Sequence, residues 1–203
     1  MKASARLACA LLVLSFGSTV PIMMDRAVAQ ENLPTSSALA DTILSRIGAV
    51  HARENRFHEV RVLAALTKPL ESNGTLKWRA PDYLEKLTEA PRREDLIING
   101  KSVTVARGAA QPQILDTARN PELQLLADTL RAPLSGNIVL LRRYYHVSAS
   151  GNEGSSWTLT LVPATADVAK LLKKVVITGT NNAITQLEIL QANGDSQTIT
   201  ISL

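Results

Sequence analysis

The sequence predicts an α+β domain, mainly β, built as an antiparallel meander with helical interruptions. Three observations predict it. Apolar residues recur at every second position through several stretches, the mark of strands with one dry and one wet face. Asn-Gly dipeptides stand between such stretches at 73–74, 99–100 and 193–194, and both residues tolerate the positive φ of tight hairpin turns. Helical periodicity is confined to three short segments, too few to alternate with the strands as a parallel sheet demands.

The first helical segment follows Thr35-Ser36-Ser37, all side chains suited to an N-cap. Leu39, Ile43, Ile47 and Val50 then repeat at helical spacing beside Ala40 and Leu44, so one stripe must pack on a partner. From Phe57 the period becomes two. Val60, Val62, Ala64 and Leu66 alternate with Glu59, Arg61 and smaller residues; Leu76, Trp78 and Ala80 alternate with Thr75, Lys77 and Arg79. Leu96 to Ile98 is expected to pair with Lys101 to Val105 across Asn99-Gly100. Ala106 to Gln113 reads as a loop.

Asn120-Pro121 supplies an N-cap and a proline at the first helical position, opening a helix from Glu122 to Leu130. Arg142-Arg143-Tyr144-Tyr145 reads as a strand edge guarded by charge, with contact to a headgroup or membrane surface as the alternative. Ser148 to Ser156 reads as a loop. Trp157, Leu159 and Leu161 alternate with Ser156, Thr158 and Thr160. Thr165 can cap a helix from Asp167 to Lys173, and Ala183 to Leu190 pairs with Ser196 to Leu203 across Asn193-Gly194.

Residues 1–29 have the form of a secretory leader. Lys2 and Arg6 precede a Leu, Ala and Val-rich run from Leu7 to Val20, and Ala27-Val28-Ala29 is a small-x-small cleavage site. The apolar run is too short to span a bilayer. Residues 30–203 then form one domain, expected in the periplasm, and a chain of that size buries roughly 70% of its unfolded surface. The whole chain carries 22 Lys and Arg against 18 Asp and Glu. The leader removes Lys2, Arg6 and Arg26 together with Asp25, leaving 19 against 17 and a net charge of about +2. A nearly neutral domain with six aromatic residues is a poor nucleic-acid platform. The single cysteine, Cys9, lies in the leader, so no disulfide and no cysteine-ligated metal is expected afterwards.

Catalytic motifs are missing. His58-Glu59 begins like a zinc-protease helix, but Val62 stands where the second histidine belongs; Gly100-Lys101-Ser102 ends like a phosphate loop, but Asp95 stands where its first glycine belongs. His51, His58 and His146 share no metal-binding spacing. The expectation is a protein that is not an enzyme and uses no cofactor and no metal. A site assembled from distant residues, such as a hydrolase histidine, stays open at this stage.

Several segments resemble the periplasmic outer-membrane lipoprotein carriers of the LolA type, and its divergent members above all. They are Phe57-His58-Glu59, Lys68-Pro69-Leu70, the run Gly74 to Leu84 (GTLKWRAPDYL), Ile97-Ile98-Asn99-Gly100, and Ile184 to Ile189 followed by Asn193-Gly194-Asp195. The resemblance implies an incomplete antiparallel β-barrel with helices covering its open, concave side. It implies acyl chains of a lipoprotein or lipid held against an apolar groove, an inner-membrane donor and an outer-membrane acceptor. The better-known carriers place a lid-closing arginine directly before the proline of the second strand. Here that residue is Ala80, and Arg79, one position off, belongs to the opposite strand face.

On this reading the groove candidates are Val60, Val62, Leu76, Trp78, Ala80, Trp157, Leu159 and Leu161, and the lid candidates are Leu125, Leu126 and Leu130. The same residues equally suit a packed core, since lid and core demand the same amphipathic stripe. The alternative function is an accessory or adaptor protein of an envelope glycolipid or aryl-polyene-type lipid pathway, without lipoprotein transfer.

Overall fold

The computed structural model describes residues 36–203. The leader assigned to residues 1–29 lies outside them. The first helix, α1, runs Ser36–Gly48 and buries Leu39, Ala40, Ile43, Leu44 and Ile47, the stripe expected from the sequence. Six strands follow: β1 (Ala52–Val62), β2 (Leu70–Arg79), β3 (Tyr83–Ala90), β4 (Glu94–Asn99), β5 (Ser102–Arg107) and β6 (Gln113–Asp116). Two helices, α2 (Pro121–Leu134) and α3 (Ile138–Tyr144), interrupt the meander. It resumes as β7 (Tyr145–Gly151) and β8 (Ser156–Pro163), passes the short α4 (Ala166–Leu171), and ends with β9 (Leu172–Thr180), β10 (Ala183–Gln191) and β11 (Ser196–Ser202).

All eleven strands join one antiparallel sheet in the order β6-β5-β4-β3-β2-β1-β11-β10-β9-β8-β7. The first and last strands pair in its middle, Phe57 facing Ile201 and Glu59 facing Ile199. The outer strands β6 and β7 do not meet, so the barrel stays open, as the resemblance implies. Helices cover one face. The larger core packs α1 against Trp157, Leu159, Leu161, Val175 and Ile177 of the β8–β9 half. A smaller core sets Ala127 of α2 on Ile98 and Val103 of the other half.

Local chemistry explains most element ends. Asn120 accepts from the Leu123 amide at 3.0 Å and Pro121 opens α2. The helix outlasts the expected Leu130 and ends at Leu134, with Pro133 tolerated in its last turn. Thr165 caps α4, which stops at Leu171 and leaves Lys173 to β9. Gly100 and Gly194 take φ of +56° and +94° at the β4–β5 and β10–β11 turns.

Three expectations fail. Asn73-Gly74 is no turn; it lies inside β2, where the register to β3 shifts between the two residues. A Cβ on Gly74 would stand 1.9 Å from the Leu87 carbonyl oxygen, so glycine serves a close strand approach at a bulge instead of a reversal. Arg142, Arg143 and Tyr144 belong to α3, not to a strand edge. Asn137 caps that helix, and Arg142 reaches α1 to bond Ser37 at 2.6 Å and Asp41 at 2.8 Å. Finally, most of the expected 148–156 loop is strand, since β7 runs on to Gly151.

Candidate functional site

The covered face of the sheet encloses a cavity of about 550 Å³ between the two cores. Strand register builds its walls in rows. Leu84 of β3 stands between Ile98 and Trp78, with Arg53 of β1 beyond Trp78. The next row runs Leu96, Lys86, Leu76, Asn55. Across the β1–β11 junction the wall continues through Ile199, Leu187 and Ile177, and beside them Gln197, Ile189 and Val175. The cover comes from α2, through Leu123, Leu126, Ala127 and Leu130, with Ile47 of α1. Most of the lining is aliphatic.

The predicted site residues divide sharply. Leu76 and Trp78 line the cavity, and so do the lid candidates Leu126 and Leu130. Leu125 turns away from the cavity wall into the core under α1. Trp157, Leu159 and Leu161 also fill that core and do not line the cavity. Their face is the expected one, but α1 lies directly on it. Val60 and Val62 are a correction of a different kind. They project from the opposite face of β1, Val62 being 47% exposed, because Phe57 and Glu59 take the inner positions. Ala80 lies past the end of β2, exposed, its amide donating to the His51 carbonyl. Arg79, as its offset implies, is exposed and stacks over the Tyr83 ring at 5.6 Å.

Sequence reasoning missed Leu84, Lys86, Leu96 and Ile98, and on the other half Ile177, Leu187, Ile189 and Ile199. The alternation of Leu187 and Ile189 around exposed Glu188 was a usable signal. No sequence pattern marks the polar island on the cavity floor. Lys86 and Gln197 line the cavity, whereas Glu59, 1% exposed, lies outside the lining. Its carboxylate accepts from Lys86 Nζ and Ser72 Oγ, both at 2.6 Å, and from the Gln197 amide. Burial pushes the Glu59 carboxyl up, but the Lys86 and Ser72 hydrogen bonds and the charges of Lys86 and Arg61 together hold it below the usual carboxylate range. The Lys86 ammonium also sits 5.1 Å from the Phe57 ring centre. Trp78 Nε1 is buried with no acceptor.

Helix α2 is fastened from its own side. Arg131, with its side chain 12% exposed, donates to the Gly100 carbonyl at 2.6 Å and to Asp128 at 3.2 Å, tying the helix to the β4–β5 turn. A hydrogen bond from a charged group contributes about 1.5–3 kcal/mol. Arg131→Met is therefore expected to speed amide exchange in α2 roughly tenfold or more while β9 to β11 keep their protection. Unchanged exchange in α2 would deny Arg131 this fastening role.

The family model for outer membrane lipoprotein carrier protein LolA-like matches residues 33–202. Among solved structures, a LolA superfamily protein from Nitrosomonas europaea is similar with 10% identity and a TM-score of 0.45, over 84% of this chain and 93% of that one. MucB in its complex with MucA from Pseudomonas aeruginosa is similar at 12% identity and a TM-score of 0.40, over 80% of this chain and 55% of that one. A DUF1329 family protein from Desulfovibrio piger is similar at 8% identity and a TM-score of 0.34, over 84% and 92%. No curated protein matches the chain. Among the described residues no helix is long and apolar enough to cross a membrane.

Proposed function

Because the chain belongs to the LolA-like outer membrane lipoprotein carrier family, we propose that it carries an acyl-bearing lipid or lipoprotein through the periplasm. The cavity holds the acyl chain, and α2 is the cover that lifts to admit and release it. Residues 1–29 are the export leader of this carrier. An inner-membrane donor loads it and an outer-membrane acceptor unloads it.

The observation that carries this reading is the aliphatic cavity of about 550 Å³ beneath α2. Its size falls in the range of small-molecule sites, roughly 300–1,000 Å³. Each methylene leaving water contributes about 0.8 kcal/mol, so a soluble carrier needs a protected aliphatic wall of this kind. It also needs a cover that is not wholly committed to the core. Leu126 fits that need, since it lines the cavity yet stays 42% exposed.

Native mass spectrometry of the protein, purified from periplasm without detergent, tests the reading. Adducts that dissociate as acyl lipid or lipoprotein are the expected result. Leu76→Arg, which places a second cation beside Lys86 in the wall, is expected to abolish those adducts and leave the β-sheet spectrum unchanged. A clean apo mass, with no uptake from lipid suspensions, would favour the envelope adaptor.

A further inference from the structure

The floor of this aliphatic cavity carries hydrogen-bond donors beyond those the fold consumes. Lys86 lines the cavity from β3, its side chain 20% exposed, and donates to Glu59. An ammonium has three donors, so the bond to Glu59 leaves donors unused on a side chain that lines the cavity. Trp78 lines the same wall, and its Nε1 has no acceptor. Leaving a buried donor unpaired is unfavourable where a phenylalanine would not be. A buried ion pair, in turn, holds no general advantage in stability over an apolar pair. The two groups are also neighbours. Trp78 faces Leu84 and Lys86 faces Leu76, which makes Trp78 and Lys86 a diagonal cross-strand pair, within reach of one another's long side chains.

We propose that this corner selects chains that end in an acyl oxygen. The carbonyl of an ester or free acid accepts from Lys86 Nζ, and Trp78 Nε1 is the second donor once side chains part around the ligand. The inference rests on the reading of the cavity as a lipid site and names what that site requires of its lipid. Because Glu59 neutralises Lys86, the corner does not demand an anion, and an uncharged ester oxygen satisfies it.

The test uses the unaltered protein. Dodecane, methyl laurate and laurate each displace the apolar fluorescent reporter N-phenyl-naphthylamine, and the two ¹⁵N-labelled indole signals are followed by NMR. Trp157, whose Nε1 already donates to the Asn181 carbonyl at 2.8 Å, is the internal reference. Methyl laurate is expected to displace the reporter at a concentration at least tenfold below that of dodecane. It should move the Trp78 indole proton downfield, as dodecane should not. A tighter grip on laurate than on its ester assigns the corner to free acids, and the reverse order to ester lipids; either supports the proposal. The double variant Lys86→Met, Glu59→Gln leaves no buried charge unpaired and is expected to erase the tenfold preference of methyl laurate over dodecane. Equal displacement by dodecane and methyl laurate, with an unmoved Trp78 signal, overturns the acyl-oxygen corner and leaves the groove standing. Failure of all three to displace the reporter brings down the groove itself.

Discussion

Glu59→Ala is expected to destabilise the protein by about 3 kcal/mol, the low end of the roughly 3–5 kcal/mol seen when one partner of a buried ion pair is removed. The low end applies because Lys86 keeps 20% of its side chain exposed and regains some water. The loss should appear as a lower urea midpoint with an unchanged slope. Glu59→Gln keeps an acceptor oxygen for one of the two neutral donors, Ser72 or Gln197, and should cost less. The double variant with Lys86→Met should recover most of the loss, since replacing both charges removes the stranded one. The pH dependence has a definite sign. The folded-state carboxyl of Glu59 lies below its ordinary value, so the stability it contributes is present above the ordinary carboxylate range. That contribution is lost as pH falls through the folded-state value. Glu59→Gln should therefore flatten the acid limb of the stability curve. A Glu59→Ala change within 1 kcal/mol of wild type would mean that the carboxylate is hydrated through the cavity.

This buried carboxylate also marks where the sequence stops being informative. The period of two is plain in β1, and choosing its apolar set, Val60 and Val62, as the inner one follows the general rule. The rule fails because Glu59 finds its partners on other strands, Lys86 27 residues away and Gln197 138 residues away. Only the folded register brings those three side chains together. In β2 the same rule succeeds, since Leu76 and Trp78 do face the cavity. In β8 it identifies the inner face but not what covers it. Trp157, Leu159 and Leu161 lie under α1, and a packed helix and an open groove impose one and the same pattern. Turn chemistry shows a parallel limit. Asn99-Gly100 and Asn193-Gly194 reverse the chain, whereas Asn73-Gly74 serves a bulge, because glycine answers both positive φ and close backbone approach. The α+β class and the antiparallel order were legible because they depend on period and turn spacing; the open barrel was implied only by the resemblance to the LolA-type carriers. The composition of the cavity floor was not legible, because it depends on contacts between distant strands.

The difference between the two tryptophans tests that division directly. Trp157 is 1% exposed, and its neighbours on the flanking strands are Gly151 and Gly179. A Cβ on Gly179 would lie 2.3 Å from the indole ring, so the ring occupies the space that the glycine leaves. Its Nε1 donates to the Asn181 carbonyl at 2.8 Å. Trp157→Ala empties this space and removes that hydrogen bond, with an expected loss of about 3–5 kcal/mol. For a domain of this size, each 1 kcal/mol lowers Tm by about 2–4 °C, so a fall of roughly 10 °C is expected by calorimetry. Lipid retention measured well below the new Tm should nevertheless equal that of the wild type, because Trp157 does not line the cavity. Trp78→Ala should show the opposite balance, with retention lost at temperatures where the fold is intact, since its ring forms part of the cavity wall. Loss of lipid from Trp157→Ala at low temperature would extend the groove into the α1 core and restore the residues of β8 to the site.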